Sequence, residues 1–302
     1  MFGGAGEVGM EQKRAILIAG PTASGKSAVA IELARQHNGV IINADSMQVY
    51  QVLRIITACP DDKDMKAVPH ELYRTVSPAI RYSVGAWLAD VAAILETTFA
   101  AGKTPVFVGG TGLYFKALTE GLAEIPDIPA DINQAWRARG EAEGFESLHT
   151  LLSERDSNAA ARIKPGDGQR IVRALAVLEA TGRTLDSWHQ EKPSPPLLPL
   201  AECDAQYLLP DRAVLYARIE KRLEQMIEEG ALAEIEALMA LELDPTLPAM
   251  KALGVPRFIS MLRGDLDQED AMALAKTDTR QYAKRQLTWC RNQMTAWQQH
   301  EI

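Results

Sequence analysis

Residues 20–27, GPTASGKS, have the types and spacing needed to bind phosphate. They match the GxxxxGK[ST] pattern, in which glycines let successive backbone N–H groups point inward and a helix start adds positive potential. Lys26 supplies a mobile cation, and the Ser27 hydroxyl could ligate Mg²⁺. A chance glycine turn is the alternative, but an apolar run precedes the segment and a helical pattern follows it. The motif predicts a polyphosphate site and leaves open which polyphosphate binds, and whether it is hydrolysed or transferred.

A carboxylate follows the second apolar run, in the sequence Asn43-Ala44-Asp45-Ser46. Ligands of open parallel sheets bind at the carboxyl edge, so Asp45 is expected to face the phosphate loop. Asp45 could act as a general base, bind Mg²⁺ through water, or cap the N-terminus of a helix. Its spacing does not choose among these roles, although its position at the sheet edge favours a functional one.

Adjacent glycines end the third apolar run, in the sequence Gly109-Gly110-Thr111-Gly112. Glycines at a strand end indicate close approach of a backbone or a ligand, and Thr111 could then hydrogen-bond Asp45 or substrate. A plain tight turn is the simpler alternative, and the residues by themselves favour it.

The elements that must position these residues are short apolar runs separated by helical patterns. The runs predict buried strands at Ala15–Gly20, Val40–Ala44, Pro105–Gly109 and Ala205–Leu209. Ser83–Ala101 carries apolar residues at helical spacing and lies directly before the third run. The alternation predicts an α/β fold, a P-loop NTPase-like parallel sheet flanked by helices.

The pattern changes between residues 119 and 185, where no run resembles a strand. Gln134–Gly144, Ser147–Ser153 and Asp167–Thr181 are typical of helices, and the proline-rich Glu191–Leu200 favours an extended connector. We therefore predict an all-helical inserted subdomain over residues 119–185. Residues 11–118 and 186–302 would form the P-loop α/β core with its C-terminal helices.

Composition excludes several classes of protein. With 302 residues, 47% hydrophobic and 24% charged, the chain is neither disordered, collagen-like nor a disulfide scaffold. The net charge of −8 argues against a general basic coat for nucleic acid, although one basic face could still bind RNA. The three cysteines form no CxxC pair, which predicts no zinc site and fits the cytoplasm. No apolar run reaches membrane-spanning length, and Met1–Arg14 resembles a loose tail rather than a secretory signal.

Six segments together resemble one family, the bacterial tRNA dimethylallyltransferases, also called tRNA isopentenyl transferases. In chain order they are GPTASGKS, NADSMQVYQ (Asn43–Gln51), GGTGLYFKAL (Gly109–Leu118), QRIVRAL (Gln169–Leu175), RIEKRLEQMIEEG (Arg218–Gly230) and TRQYAKRQLTW (Thr279–Trp289). Many families share the phosphate loop, whereas GGTGLYFKAL and TRQYAKRQLTW in this order are far more specific.

The resemblance implies transfer of a dimethylallyl group from dimethylallyl diphosphate to a tRNA adenosine. The acceptor would be the exocyclic amine of the adenosine that adjoins the anticodon on its 3′ side, with release of diphosphate. Asp45 is similar to the family's general base, Thr111 to its neighbour, and Arg222 to a catalytic diphosphate clamp. The residues that would cradle the diphosphate, or a nucleotide, are Gly20, Pro21, Thr22, Ala23, Ser24, Gly25, Lys26 and Ser27. Mg²⁺ on Ser27 is the expected cofactor.

This chemistry makes physical sense for the residues present. Diphosphate leaves readily when its developing charge is neutralised, and an aromatic amine attacks better when its proton is removed. The adenine must also flip out of the anticodon-loop stack to reach a buried diphosphate.

The implied partner is the anticodon stem-loop of tRNA. By resemblance, its contacts would be Asp45, Ser46, Met47, Gln48, Gln169, Arg170, Ile171, Val172, Arg173, Gly254, Arg280 and Lys284. The helical insertion offers a second grip, and Arg280, Lys284 and Arg291 would share a helix face suited to phosphates. An ordinary solvated face is the alternative for such charges. A complete core of its own predicts a monomer.

Two stretches depart from the family pattern, and two other functions remain open. Ile56 and Cys59 stand where the family commonly has glycine and a basic residue, and Leu253–Pro256 lacks the common aromatic and arginine. A P-loop small-molecule kinase would use the same loop and carboxylate, with ATP as ligand. A non-catalytic tRNA-binding adaptor would keep the loop as a relic, against which the intact Lys26, Ser27 and Asp45 argue.

Overall fold

The computed structural model describes residues 14–301 and confirms an α/β fold with a parallel sheet. Its strands are β1 (Ala15–Ala19), β2 (Gly39–Asn43), β3 (His70–Glu71), β4 (Thr104–Gly109), β5 (Cys203–Leu209) and β6 (Gln298–Glu301). They are arranged in the order β3-β2-β4-β1-β5-β6, and each neighbouring pair is parallel. The tail predicted at Met1–Arg14 lies outside the described residues apart from Arg14.

The helices follow in chain order, and several of them begin at a side-chain cap. They are α1 (Lys26–Gln36), α2 (Asp62–Ala67), α3 (Val84–Ala100), α4 (Gly112–Glu120), α5 (Ala130–Glu143), α6 (Phe145–Arg155), α7 (Ser157–Arg162), α8 (Gly168–Thr181), α9 (Leu185–His189), α10 (Arg212–Glu228), α11 (Ala231–Met239), α12 (Val255–Leu262) and α13 (Gln268–Gln293). For example, the Ser83 side chain accepts from the Ala86 N–H and so caps α3.

The strands are buried on both faces, which explains their continuous apolar sequences. All five residues of β1 and of β2 are buried. On β4, Phe107 packs into one core with Trp87, whereas Val106 and Val108 pack into the opposite core with Ile18. Helices on both faces exclude water from this sheet, so its strands need no alternation of polar residues.

Two edge strands were not predicted, because their sequences carry no apolar signal. β3 has only two residues, and β6 is the exposed sequence QQHE. Backbone hydrogen bonds to β2 and β5 define them, and such pairing leaves no trace in side-chain hydrophobicity.

Residues Glu120–Pro196 form a separate compact unit made of helices α5–α9. The prediction ended this insertion at residue 185, and the structure extends it to 196. Trp188 of α9 donates its indole N–H to Thr181, and Ser194 exchanges hydrogen bonds with the backbone of Leu122. These bonds attach the proline-rich connector to the helical unit. The core of the unit is formed by Trp136, Leu148, Leu152, Ile171 and Leu175.

Among the described residues, no helix has the length and apolar character needed to cross a bilayer.

Candidate active site at the carboxyl edge of the sheet

The phosphate loop connects β1 to α1 as predicted from its sequence. Gly25 has a φ of 87°, a left-handed conformation, and Lys26 begins the helix. The Ser24 N–H and the Lys26 ammonium both donate to the Pro21 carbonyl, at 3.3 and 3.0 Å. The Ser24 hydroxyl is buried and has no hydrogen-bond partner within residues 14–301. A buried hydroxyl without a partner is costly, so this atom suits a ligand with acceptor oxygens.

Two cations lie close to the loop with little negative charge to balance them. Desolvation of its ammonium lowers the pKa of Lys26 to about 8; the Asp45 carboxylate opposes this shift and Arg222 adds to it. Burial also lowers the pKa of Arg222, again against the attraction of Asp45. In the described part of the chain, Arg222 makes no hydrogen bond or ion pair. Asp45 attracts both cations and Glu229 attracts Arg222 as well, but neither cation is ion-paired among residues 14–301, and the site therefore favours an anionic ligand.

Asn43, at the end of β2, orients Asp45. The Asn43 side chain accepts from the Asp45 N–H at 2.9 Å and donates to the carbonyls of Asp45 and Leu72 at 3.0 Å. The Trp87 indole N–H donates to the Asn43 carbonyl at 2.8 Å. Asn43 is completely buried. The sequence by itself indicates no role for Asn43, because two of its hydrogen-bond partners, Leu72 and Trp87, lie far along the chain.

The Asp45 carboxylate keeps one oxygen available for chemistry. Its Oδ1 accepts from the Met47 N–H at 2.9 Å, and its second oxygen has no hydrogen bond among residues 14–301. No helix begins here, since the next helix starts at Asp62 and is capped by Asp61. The helix-cap interpretation is therefore wrong, and the roles of base and metal ligand remain.

Thr111 bonds to Ser46, not to Asp45. Its Oγ1 accepts from the Ser46 N–H at 2.9 Å and donates to the Ser46 hydroxyl at 3.3 Å. The Thr111 N–H donates to the Ala44 carbonyl at 3.2 Å. A Cβ on Gly109 would collide with the same carbonyl, so the glycine permits a close backbone approach. The simple-turn interpretation is thus wrong, and Thr111 anchors the segment that carries Asp45.

Helix α13 forms a further wall of the site. Tyr282, Gln286 and Cys290 recur every four residues and so share one face of the helix. The Gln286 side chain bonds to the phosphate loop and to Gly110. Burial raises the pKa of Tyr282, with a contribution from Asp45, and raises that of Cys290 to about 11, which Lys26 opposes. The motif TRQYAKRQLTW contains Tyr282 and Gln286, and Cys290 follows it directly. The sequence by itself points only to the basic residues of this motif.

The segment after Asp45 is held by its own side chains and by α11. The Gln48 amide donates to the Thr57 and Ala58 carbonyls at 2.9 Å, so this donor group is already occupied within the loop. The Glu234 carboxylate accepts from the backbone N–H groups of Ile55 and Ile56.

The two stretches that depart from the family pattern, one with Ile56 and Cys59 and the other with Gly254, are packed inside the protein. Ile56 is buried, and a Cβ on Gly254 would lie 3.1 Å from it. Gly254 is itself buried with a φ of 82°, so it forms the turn before α12, and the RNA contact expected there stays a prediction. Burial raises the pKa of Cys59 to about 11, and the thiol stays neutral.

In the helical unit the predicted RNA contacts divide into core and surface. Ile171 and Val172 are buried in its core, so their side chains pack within the protein, and an RNA contact at these two positions stays a prediction. Gln169, Arg170 and Arg173 line a cavity of about 970 Å³. Arg170 forms an ion pair with Asp167, and Arg162, a second arginine of this cavity, forms one with Asp186.

Arg173 is the arginine of this cavity without a partner among residues 14–301. Its side chain is exposed, but the cavity walls desolvate the guanidinium and lower its pKa. An arginine in this state favours binding of a phosphate.

On α13, the predicted basic face is only partly available. Arg280 forms an ion pair with Glu220 at 2.7 Å and donates to Thr277, so it is engaged within the protein. Lys284 and Arg291 are exposed and line one cavity of about 680 Å³.

The donors present suit a magnesium ion that is shared with phosphate. No cluster of three His, Cys, Asp or Glu side chains that could hold a metal occurs in the described part of the chain. Ser27 is exposed at the start of α1, and Asp45 offers one oxygen. Mg²⁺ is usually bound by one or two such hard oxygens, with phosphate oxygens and water completing its shell.

Comparisons with known proteins agree with the motifs. The IPP transferase family profile matches residues 48–293, and that of isopentenyl transferase matches residues 13–74. A tRNA dimethylallyltransferase of Bradyrhizobium sp. (strain ORS 278) is 53% identical over 94% of this chain and 92% of its own.

Solved structures give the same result. The full-length tRNA isopentenylpyrophosphate transferase of Bacillus halodurans is 33% identical, with a TM-score of 0.69 over 96% of this chain and 90% of its own. A eukaryotic dimethylallyltransferase acting on tRNA is 27% identical, with a TM-score of 0.80 over 96% of this chain and 74% of its own. The resemblance predicted from the six segments is confirmed.

We predict that affinity for inorganic diphosphate falls as the pH rises through about 8. Lys26 is cationic below its pKa of about 8, and a bound anion raises that pKa. Above pH 8, binding therefore requires uptake of a proton, and affinity falls by up to about tenfold for each pH unit. Calorimetric titration between about pH 7 and about pH 9.5 measures this slope.

Lys26→Arg is the control, since arginine keeps its charge throughout this range. Its affinity should vary with pH only through the titration of diphosphate itself, so the decline due to Lys26 should be absent. An equal slope in the two proteins would show that another group titrates.

Proposed function

Because the chain belongs to the IPP transferase family, we propose that it transfers a dimethylallyl group from dimethylallyl diphosphate to tRNA. The acceptor is the exocyclic amine of the adenosine 3′-adjacent to the anticodon, and diphosphate is released. The chain is thus a prenyltransferase enzyme that acts on tRNA. Family membership also argues against the kinase and adaptor alternatives.

The observation that carries this proposal is the excess of positive charge around the phosphate loop. Lys26 and Arg222 are both desolvated and both attracted by Asp45, and Glu229 also attracts Arg222, yet neither cation forms an ion pair among residues 14–301. The buried Ser24 hydroxyl, without a partner within the described residues, adds a donor at the same place. A diphosphate supplies both the negative charge and the acceptor oxygens that this arrangement lacks.

Departure of the diphosphate is the step that these cations assist. The bond between the dimethylallyl carbon and the diphosphate oxygen breaks, and its electron pair leaves with the oxygen. Lys26, Arg222 and the loop N–H groups stabilise that growing charge in a site with little water. Mg²⁺ held by Ser27 would supply further charge neutralisation on the phosphate oxygens.

Asp45 is suited to accept the proton of the amine. As the amine nitrogen bonds to the dimethylallyl carbon, its N–H proton passes to the available Asp45 oxygen. Asn43 and the Met47 N–H fix the orientation of the carboxylate before the substrate arrives. Thr111 supports this geometry through Ser46.

Binding of the tRNA anticodon stem-loop is assigned to the exposed cations that lack internal partners. In the described chain these include Arg173 in the helical unit, and Lys284 and Arg291 on α13. Such residues would contact backbone phosphates, while adenine is flipped towards Asp45. We place the enzyme in the cytoplasm, as a monomer.

A double-label experiment tests the function. The protein is incubated with tRNA, Mg²⁺ and either dimethylallyl diphosphate labelled in its carbon chain or γ-labelled ATP. Carbon label on the tRNA is the expected result. Transfer of γ-label to an acceptor without any carbon label would indicate a kinase, and tRNA binding without either transfer would indicate an adaptor.

We predict that Asp45→Asn lowers kcat by about 10² to 10⁴ while diphosphate binding with Mg²⁺ stays near wild type. Asparagine keeps the shape of the side chain but does not accept the proton. Single-turnover prenylation and calorimetric binding measure the two effects.

Asp61→Asn is the matched control, since asparagine caps α2 nearly as well as aspartate. Rescue of Asp45→Asn by extra Mg²⁺, with weakened diphosphate binding, would assign Asp45 to the metal instead. Near-normal turnover on saturating tRNA would end both assignments.

We predict that Arg173→Gln weakens tRNA binding and flattens its salt dependence. Loss of one phosphate contact lowers the log–log slope of affinity against salt by about 0.7 to 0.9. Arg139→Gln is the control in the same unit, because Arg139 is paired with Glu143. Equal slopes for wild type and Arg173→Gln in filter binding would show that Arg173 lies on an ordinary solvated surface.

A further inference from the structure

We propose that Gln286 is a positioning residue that ties the phosphate loop and the Gly110 turn to α13, and thereby sets the affinity for diphosphate. The proposal rests on the proposed diphosphate chemistry of the site. It adds a residue that lies outside the loop, the carboxylate and the cations already described.

The contacts of Gln286 join three segments that are distant in sequence. Its Oε1 accepts from the Thr22 N–H of the phosphate loop at 2.9 Å, and its Nε2 donates to the Gly110 carbonyl at 3.0 Å. The residue is only 6% exposed. A buried amide with both ends occupied holds its partners more firmly than an exposed pair, because water does not compete for them.

A neutral amide is the group that this position requires. It must accept from an N–H on one side and donate to a carbonyl on the other. A carboxylate would face the Gly110 carbonyl with two acceptors opposed. An apolar side chain would leave the Thr22 N–H and the Gly110 carbonyl without these partners in a buried place.

The bond to Thr22 changes what the phosphate loop can do. The Thr22 N–H points to α13, so the donors left for phosphate come from later residues of the loop. Pinning one end of the loop fixes it before the ligand arrives, and binding then orders fewer residues. The unpartnered Ser24 hydroxyl lies two residues further along this pinned segment.

The face of α13 that carries Gln286 also lies near Lys26 and Asp45. Cys290, four residues after Gln286, is near enough to Lys26 to influence its pKa. Tyr282, four residues before, has its pKa raised in part by Asp45. One rigid helix therefore adjoins the cation and the carboxylate, and Gln286 is the hydrogen-bonded link between it and the loops.

Close approach at Gly110 offers a second way to break the link. A Cβ at this position would collide with Nε2 of Gln286. Gly110→Ala should therefore push the Gln286 amide away from the Gly110 carbonyl without any change of the residue at position 286.

The test measures binding of inorganic diphosphate with Mg²⁺ by calorimetry, tRNA affinity, and melting temperature. Gln286→Met, which loses both bonds, should weaken diphosphate binding by about tenfold, and Gly110→Ala should act similarly. Gln286→Glu keeps the acceptor for Thr22 but opposes the Gly110 carbonyl and adds negative charge beside the loop, so it should weaken diphosphate binding at least as much. In the transfer assay, KM for dimethylallyl diphosphate should rise with kcat near wild type, and tRNA affinity should stay within about twofold.

Gln206→Met is the matched control, since Gln206 is a buried glutamine in the same unit, on β5. A merely structural role predicts that both variants lose melting temperature and that neither selectively loses diphosphate affinity; that result would overturn the proposal. Equal loss of tRNA affinity in Gln286→Met would overturn it too. A wild-type protein that binds no diphosphate would overturn the proposed function and this proposal with it, whereas equal binding by wild type and Gln286→Met would overturn this proposal alone.

Discussion

The desolvation of two cations, Lys26 and Arg222, is the constraint on which the rest of the site depends. Removing a cation from water is unfavourable, and desolvation lowers the pKa of Lys26 to about 8. The fold tolerates this strain because Lys26 donates to the Pro21 carbonyl and Asp45 attracts both cations. In the parallel sheet, β1 and β2 are separated only by β4. The phosphate loop after β1 and the Asp45 carboxylate after β2 therefore emerge at the same edge. The unbalanced charge is what gives that edge its affinity for anions.

Side chains that bind backbone groups convert the loops of this edge into a rigid frame. Asn43 fixes the turn at Asp45, Thr111 fixes Ser46, and Gln286 fixes the phosphate loop. Glu234 does the same for the segment at Ile55 and Ile56. Loops at the end of a parallel sheet lack the ladder bonds that order strands, so these polar bonds replace them. Catalysis benefits because the donors and the base are in place before substrate binds.

Recognition of RNA by a chain of net charge −8 depends on where its cations remain unpaired. Many of its arginines form ion pairs, as Arg280 does with Glu220 and Arg170 with Asp167. Arg173 lines a cavity without such a partner among the described residues, and partial desolvation of its guanidinium lowers its pKa. A few cations of this kind can bind phosphates locally without giving the whole surface a positive charge.

Local sequence determined the central strands, the phosphate loop and the family, because each is written in contiguous residues with a strong pattern. Apolar runs specify strands buried on both faces, and GPTASGKS specifies a loop whose geometry needs its glycines. Only the tertiary structure decided the edge strands, the burial of Ile171, Val172 and Gly254, and the pairing of Arg280. It also revealed Asn43 and Gln286, whose partners lie up to 264 residues away. Hydrogen bonds over such separations have no sequence period, so they exist as a signal only after the chain has folded.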